Sequence, residues 1–233
     1  EEDPIDIVKN YKKYFNIKYN RNSSNEGLGA NILKSVSLAE GEFVWIIGSD
    51  DLILPNTFKS LNFYLNKKNI DFYYINSYHL DVEFLNRQKQ PFNTYNIPKN
   101  LKKFSNYHQD KQCKFYELIS PTISFDFMLG MLLSIFRRDI WNKNLNSINQ
   151  KDLSNLKTYS TFDNTAPHII IWSSGFKDSQ AYFQSDPLSV NTHGVREWND
   201  LYPFVESIRI PEILDYYKLA GLNYFKYLYY KNF

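Results

Sequence analysis

Gly41-Glu42-Phe43-Val44-Trp45-Ile46-Ile47-Gly48-Ser49-Asp50-Asp51-Leu52-Ile53-Leu54-Pro55 is the stretch that decides how the rest of the chain is read. Phe43 to Ile47 is an unbroken run of apolar side chains, most of them aromatic or β-branched. Such a run suits a strand buried on both faces, in a parallel sheet covered by helices. The run stops at Gly48-Ser49-Asp50-Asp51, which sets two adjacent carboxylates just past the strand's carboxyl end. Open α/β sheets bind their ligands at that edge. Neighbouring carboxylates repel unless a cation lies beside them. A hard divalent ion that also grips a diphosphate, Mg²⁺ or Mn²⁺, meets that need. A solvated turn carrying two aspartates accounts for the same residues, and the motif alone does not choose between the two.

Outward from this point helices and strands alternate. Upstream, Leu28, Ile32, Val36 and Ala39 fall at helical spacing, with Leu33 alongside and Gly41 where a C-cap residue is expected. Before them come a short strand candidate, Ile17-Lys18-Tyr19, and an amphipathic helix from Ile5 to Phe15 with Pro4 near its first turn. Downstream, Pro55 is expected to open a helix that buries Phe58, Leu61 and Leu65, and residues 71–78 read as an aromatic strand. Residues 81–114 turn polar and are long for a plain connection, which marks an insertion or flap. Lys114 to Ile119 reads as a short helix. Residues 128–136 read as a buried strand feeding a helix from Arg138 to about Lys143. Pro167 to Gly175 reads as a buried helix, and 181–190 as a last strand followed by a loop, Asn191 to Gly194. Helices near 198–208 and 211–231 close the chain. The expected fold class is α/β: three layers, α/β/α, around a mostly parallel sheet, with a C-terminal helical tail. Residues 1–195 form the domain, 81–127 its variable insertion, and 196–233 the tail.

Composition excludes several function classes. The 233 residues carry a formal net charge of +2, so no bulk field points to nucleic acid. Hydrophobic residues at 43%, with 18% aromatics, are enough for a substantial core. The single cysteine, Cys113, rules out an internal disulfide and fits a reducing compartment. No leader is visible, and no run of about 18 apolar residues is long enough to span a bilayer. The expected location is cytoplasmic, with peripheral contact on the inner face of the membrane through the tail. There, Leu214 to Lys231 interleaves tyrosines with lysines as interfacial segments do; packing on the domain or on a partner is the alternative.

Asn25-Glu26-Gly27-Leu28-Gly29-Ala30-Asn31, then Ala39-Glu40-Gly41-Glu42-Phe43-Val44-Trp45, then Gly48-Ser49-Asp50-Asp51 resembles the inverting family 2 glycosyltransferases of GT-A fold. Among these the match is to bacterial surface-polysaccharide enzymes of the abequosyltransferase-like group. It is specific from about Asn25 to Phe58 and weaker through Phe136-Arg137-Arg138 and Pro167-His168 to about His193. The resemblance implies transfer of a sugar from a nucleotide-diphosphate sugar to a hydroxyl acceptor, a glycan or lipid-linked glycan of lipopolysaccharide or capsule. It implies a divalent metal, Mn²⁺ or Mg²⁺, on Asp50 with Asp51 beside it and His193 as a further ligand. It implies donor contacts from Asn25, Gly27, Asn31, Ser49 and Asp50. Gly48 stands where many relatives carry the first Asp of the Asp-x-Asp motif. At the helix start where relatives carry the general base, this chain reads Pro167-His168, so His168 is nominated, with Asp163 as runner-up. A hydrogen-bonded histidine at a helix start is the other reading of His168. In the family two strands precede the Glu1–Pro4 stretch and build the nucleobase pocket, so the chain is expected to lack them and to expose a sheet edge. A non-catalytic or truncated binding or assembly module is the competing function. Two further motifs stay open: Gly27-x-Gly29 reads as a tight turn rather than a phosphate cradle, and Arg137-Arg138 as either a diphosphate clamp or a solvated strand end.

Overall fold

The structure, a computed structural model, describes residues 4–67, 69–153, 155–157, 160–194 and 201–232. In chain order its elements are α1 (Ile5–Lys12), α2 (Leu28–Leu38), β1 (Phe43–Trp45), β2 (Leu52–Ile53), α3 (Thr57–Leu65), β3 (Phe72–Asp81) and α4 (Val82–Asn86). They continue with β4 (Lys111–Lys114), α5 (Phe115–Leu118), β5 (Ser134–Arg137), α6 (Arg138–Lys143), α7 (Gln150–Leu153), α8 (Phe162–Thr165) and α9 (Pro167–Gly175). Last come β6 (Gln180–His193), α10 (Tyr202–Phe204), α11 (Ile210–Ala220) and α12 (Tyr224–Lys231).

Among the described residues the strands form one sheet in the order β1-β5-β3-β6-β2, with β4 also on β6. The two longest strands, β3 and β6, run parallel at its centre. β5 lies antiparallel between β1 and β3, so β1 points the same way as the central pair. β2 and β4 run antiparallel to β6. The α/β class holds, and the sheet is mixed rather than uniformly parallel.

Alternation along β3 builds the layers. Phe72 and Tyr74 join a large core with Ile32 and Val36 of α2, Ile169 and Trp172 of α9, and Ile213 and Tyr217 of α11. Tyr73 and Ile75 enter a smaller core with Leu61 of α3 and Leu188 of β6. Side chains pointing to opposite faces at successive positions produce this split. Phe72 meets Phe115, Phe127, Trp172 and Phe176 edge-on, the preferred aromatic geometry. Burying each such ring contributes roughly 1.5–3 kcal/mol relative to exposure.

Several boundaries differ from the sequence reading. The apolar run 43–47 gives only a three-residue edge strand in which Val44 alone is buried. Trp45 Nε1 donates to the Leu132 carbonyl at 2.7 Å, and the chain then leaves the ladder to cross toward β2. Ile17-Lys18-Tyr19 has no strand pairing. Residues 128–136 begin as two 3₁₀ turns before β5. β6 runs on to His193, because Asn191, Thr192 and His193 stay in register with His79, Leu80 and Asp81. The α2 cap is Ala39 in extended conformation rather than Gly41. α3 starts after Asn56, which is left-handed at φ 65°, and not at Pro55. The tail helix breaks at Gly221, where φ of 121° suits a residue without Cβ. The expected start of the preceding helix, near Trp198, lies outside the described residues.

Candidate active site

β1, β3 and β6 share one direction, so their carboxyl ends define one rim of the sheet. The acidic turn crosses this rim. Leaving β1, it passes to β2, where Leu52 pairs with Val190 and Leu54 N–H donates to the Leu188 carbonyl at 3.1 Å. The two aspartates differ within it. Asp51 is half-buried: its Oδ2 accepts from Gly48 N–H at 2.9 Å and its Oδ1 from Asn191 Nδ2 at 2.7 Å, which bolts the turn to β6. Thr192 Oγ1 donates to the Asp50 carbonyl, a second bolt. Ser49 and Asp50 are exposed. A Cβ at Gly48 would lie 2.5 Å from Asp50 Oδ1 and 2.9 Å from Asp51 Oδ2. The missing side chain is what lets both carboxylates fold back over the turn.

The second half of the site lies on the helical layer. α2 leads into β1 through residues 39–42. Asn25 Oδ1 accepts from Gly27 N–H at 2.9 Å, and Gly27 takes φ 85° to start α2. Asn31, one turn on, accepts from Asn22 Nδ2 at 2.6 Å. The ideal Cβ of Gly29 lies 3.4 Å from the Asp163 carbonyl and 3.3 Å from Asn164 Cα, so α2 closes against α8 through a glycine contact. α8 is fixed by a reciprocal cap: Thr161 Oγ1 accepts from Asn164 N–H at 3.2 Å, and Asn164 Oδ1 from Thr161 N–H at 3.3 Å. Asp163, half-buried, accepts from Asn149 N–H at 2.9 Å on Oδ1. Its other oxygen carries no hydrogen bond among the described residues. The structure thus joins Asn25, Gly27 and Asp163 on one flank, and Ser49, Asp50 and Asp51 on the crossing turn.

His168 does not join them. It is only 2% exposed, edge-on to Trp172, and neither ring nitrogen has a hydrogen-bond partner of normal geometry. Burial lowers its pKa to about 4, with the Leu129 backbone opposing only in part. A neutral imidazole sealed in the core cannot reach an acceptor hydroxyl, so the nomination passes to Asp163. His193 lies at the exposed end of β6, not in a loop, and its ring faces His79 with centroids 6.1 Å apart. Arg137 and Arg138 sit at the opposite end of β1. There Arg137 pairs with Asp71 at 2.8 Å and with Glu42, and Arg138 donates to the Gly41 and Glu40 carbonyls. They brace strand ends and clamp no diphosphate at the rim.

His79 is the rim residue that the sequence reading passed over. It stacks on Phe104 at 3.7 Å and is in register with Asn191, the partner of Asp51. Burial holds its pKa below the ordinary value, opposed by the Asp126 carboxylate and reinforced by His193 and Lys102. Its only sequence signal was its place at the end of an aromatic strand.

Among the described residues no three His, Cys, Asp or Glu side chains are gathered as a metal ion would need. His193 is therefore not assembled with Asp50 and Asp51. The donor set that remains, carboxylate oxygens folded over Gly48, fits a hard cation held by one or two carboxylates and completed by phosphate oxygens.

The sheet is thus crossed at its carboxyl rim by an acidic turn, and the helical layer carries Asp163 in a helix fixed by the Thr161–Asn164 cap. The chain belongs to glycosyl transferase family 2, whose model matches residues 2–139, more than half of it. Its sequence is similar to abequosyltransferase RfbV of Salmonella typhimurium, with 43% identity over 67 residues, 29% of this chain and 20% of that protein. Its structure is similar to S. aureus TarS 1-349, with TM-score 0.54 and 16% identity over 90% of this chain and 52% of that one. It is also similar to TarS 1-349 in complex with UDP-GlcNAc, with TM-score 0.53 and 16% identity over 91% and 54%. The fold is thus of the GT-A type. The chain spans about half the length of TarS 1-349, and its match to the abequosyltransferase covers a fifth of that protein.

Proposed function

We propose that the chain carries out inverting transfer of a sugar from a nucleotide-diphosphate sugar to a hydroxyl on a glycan or lipid-linked glycan, in bacterial surface-polysaccharide synthesis in the cytoplasm. The observation that carries this reading is the acidic turn bolted across the sheet's rim, with Asp50 exposed and Asp51 tied to β6. Family membership and the resemblance to an abequosyltransferase support it. A neighbour of the same fold was crystallised with UDP-GlcNAc, which supports a nucleotide-sugar donor.

Asp50, with Asp51 behind it, would hold a divalent cation, whose contribution when bound is Lewis-acid stabilisation of the departing diphosphate. The amino end of α2, with Asn25, Gly27 and Asn31, offers backbone donors toward the donor's phosphates or ribose. Asp163 accepts the proton of the acceptor hydroxyl through its open carboxylate oxygen, and the oxygen attacks the anomeric carbon opposite the leaving group. The new glycosidic bond forms as the bond to the diphosphate breaks, with inversion.

One observation favours a second reading, a non-catalytic binding or assembly module: both Asp51 oxygens are already engaged by the protein. Calorimetric titration with a panel of nucleotide-sugars plus Mn²⁺ separates the two. Micromolar to millimolar binding of one donor, with slow donor hydrolysis lost in Asp163→Asn while its affinity stays within twofold, supports the transferase. No binding to any donor supports the module.

A further inference from the structure

The tail was read as one amphipathic stretch, and the structure divides its aromatics between two faces. Tyr227 and Tyr230 of α12 turn inward, 6% and 8% exposed, into the same core as Ile213, Leu214 and Tyr217 of α11. The opposite face of α12 carries Phe225, Leu228 and Tyr229 at positions i, i+3 and i+4, a continuous stripe on the helix surface. Phe225 is 78% exposed and Tyr229 55%, with Tyr224 beside them, and Leu219 at the end of α11 is 84% exposed. Between Tyr216 and Asn232 the chain holds Lys218, Lys226 and Lys231 and no acidic residue. Lys218 lies over the Tyr224 and Tyr227 rings, and Lys231 is held by Asp215 and the Tyr227 hydroxyl.

We propose that this face of α12, with Leu219, docks on an anionic membrane surface. Rings and aliphatic side chains enter the headgroup boundary while Lys218 and Lys226 meet lipid phosphates. Charge complementarity selects this occupant. A second copy meeting the same face about a two-fold axis would set Lys218 and Lys226 against their own equivalents. Because α11 is locked to α9 through Ile213, Leu214 and Tyr217, docking of α12 fixes the orientation of the catalytic domain against the bilayer. This rests on the transferase reading for its purpose but not for its evidence, so the two fail separately.

The test is co-sedimentation of the purified chain with vesicles of phosphatidylglycerol and phosphatidylethanolamine, and with phosphatidylcholine vesicles as the neutral arm. Binding is expected to the anionic vesicles only, weakening with salt. Phe225→Ser with Leu228→Ser should lower the partition coefficient about tenfold or more, and Lys226→Gln about fivefold. Leu219→Ser supplies an independent variant should the double substitution melt the helix. The exposed apolar side chains near the amino end (Ile7 and Tyr11 of α1, with Phe15 just beyond it) are the internal control, and Phe15→Ser should leave partitioning unchanged. Equal binding to neutral vesicles, loss of binding through Phe15→Ser instead, or a tail-dependent dimer by light scattering without vesicle binding would each overturn the proposal.

Discussion

The adjacent aspartates of the rim turn should respond oppositely to the same substitution. Asp51→Ala removes an acceptor that takes two hydrogen bonds, from Gly48 N–H at 2.9 Å and Asn191 Nδ2 at 2.7 Å. A hydrogen bond to a charged group is worth roughly 1.5–3 kcal/mol net when well buried. Asp51 is half-buried, so screening reduces each to about 1 kcal/mol, and the pair to about 2 kcal/mol. In a chain of this size that corresponds to a fall in Tm of about 4–8 °C. Asp50 is exposed, and its bolt to Thr192 uses the backbone carbonyl, which alanine keeps. Asp50→Ala should therefore lower Tm by less than Asp51→Ala does. In calorimetry with nucleotide-sugars and Mn²⁺ the order reverses: Asp50→Ala abolishes binding in a fully folded protein. Scanning calorimetry on the three proteins, followed by titration, reads both effects. If Asp51→Ala melts with the parent, or Asp50→Ala destabilises as much as Asp51→Ala, the division into a bolt and a ligand is wrong.

Two other consequences follow from burial. His168 is ordinarily protonated near pH 6.5 and is pushed down to about 4 in the folded chain. The unfolded state therefore binds the extra proton between those values, and stability is full above pH 6.5 and lost as pH falls toward 4, by about 3 kcal/mol from this group. His168→Leu should flatten that part of the pH–stability curve in urea unfolding and leave donor turnover unchanged; loss of turnover with an intact fold would return His168 to the site. Cys113 is buried, and burial raises its thiol to about 11. It should resist iodoacetamide at pH 8 in the native protein and react on unfolding, as mass spectrometry would record.

How much was legible beforehand depended on whether the signal was local. The apolar run ending in Gly48-Ser49-Asp50-Asp51, the α2 periodicity from Leu28, and Pro167 opening a helix that stops at Gly175 are written in neighbouring residues, and the structure keeps them. The family resemblance used the same local patterns. A hydrophobic period marks that a face is buried, but not against which neighbour. That is why Phe43–Ile47 read as a doubly covered strand and became a short edge strand. It is also why residues 191–193 read as a loop although pairing with 79–81 holds them in the sheet.

By itself the sequence determined the α/β class and the helices from Leu28 and from Pro167, because these depend on residues within a few positions of one another. Tertiary structure alone decided the roles. Asn191, 140 residues along the chain from Asp51, makes that aspartate a bolt between the turn and β6. Trp172 and the surrounding core seal His168 away. Packing of α8 on Gly29 sets Asp163 beside the start of α2. Each outcome rests on a contact between distant segments, and no local pattern encodes the partner.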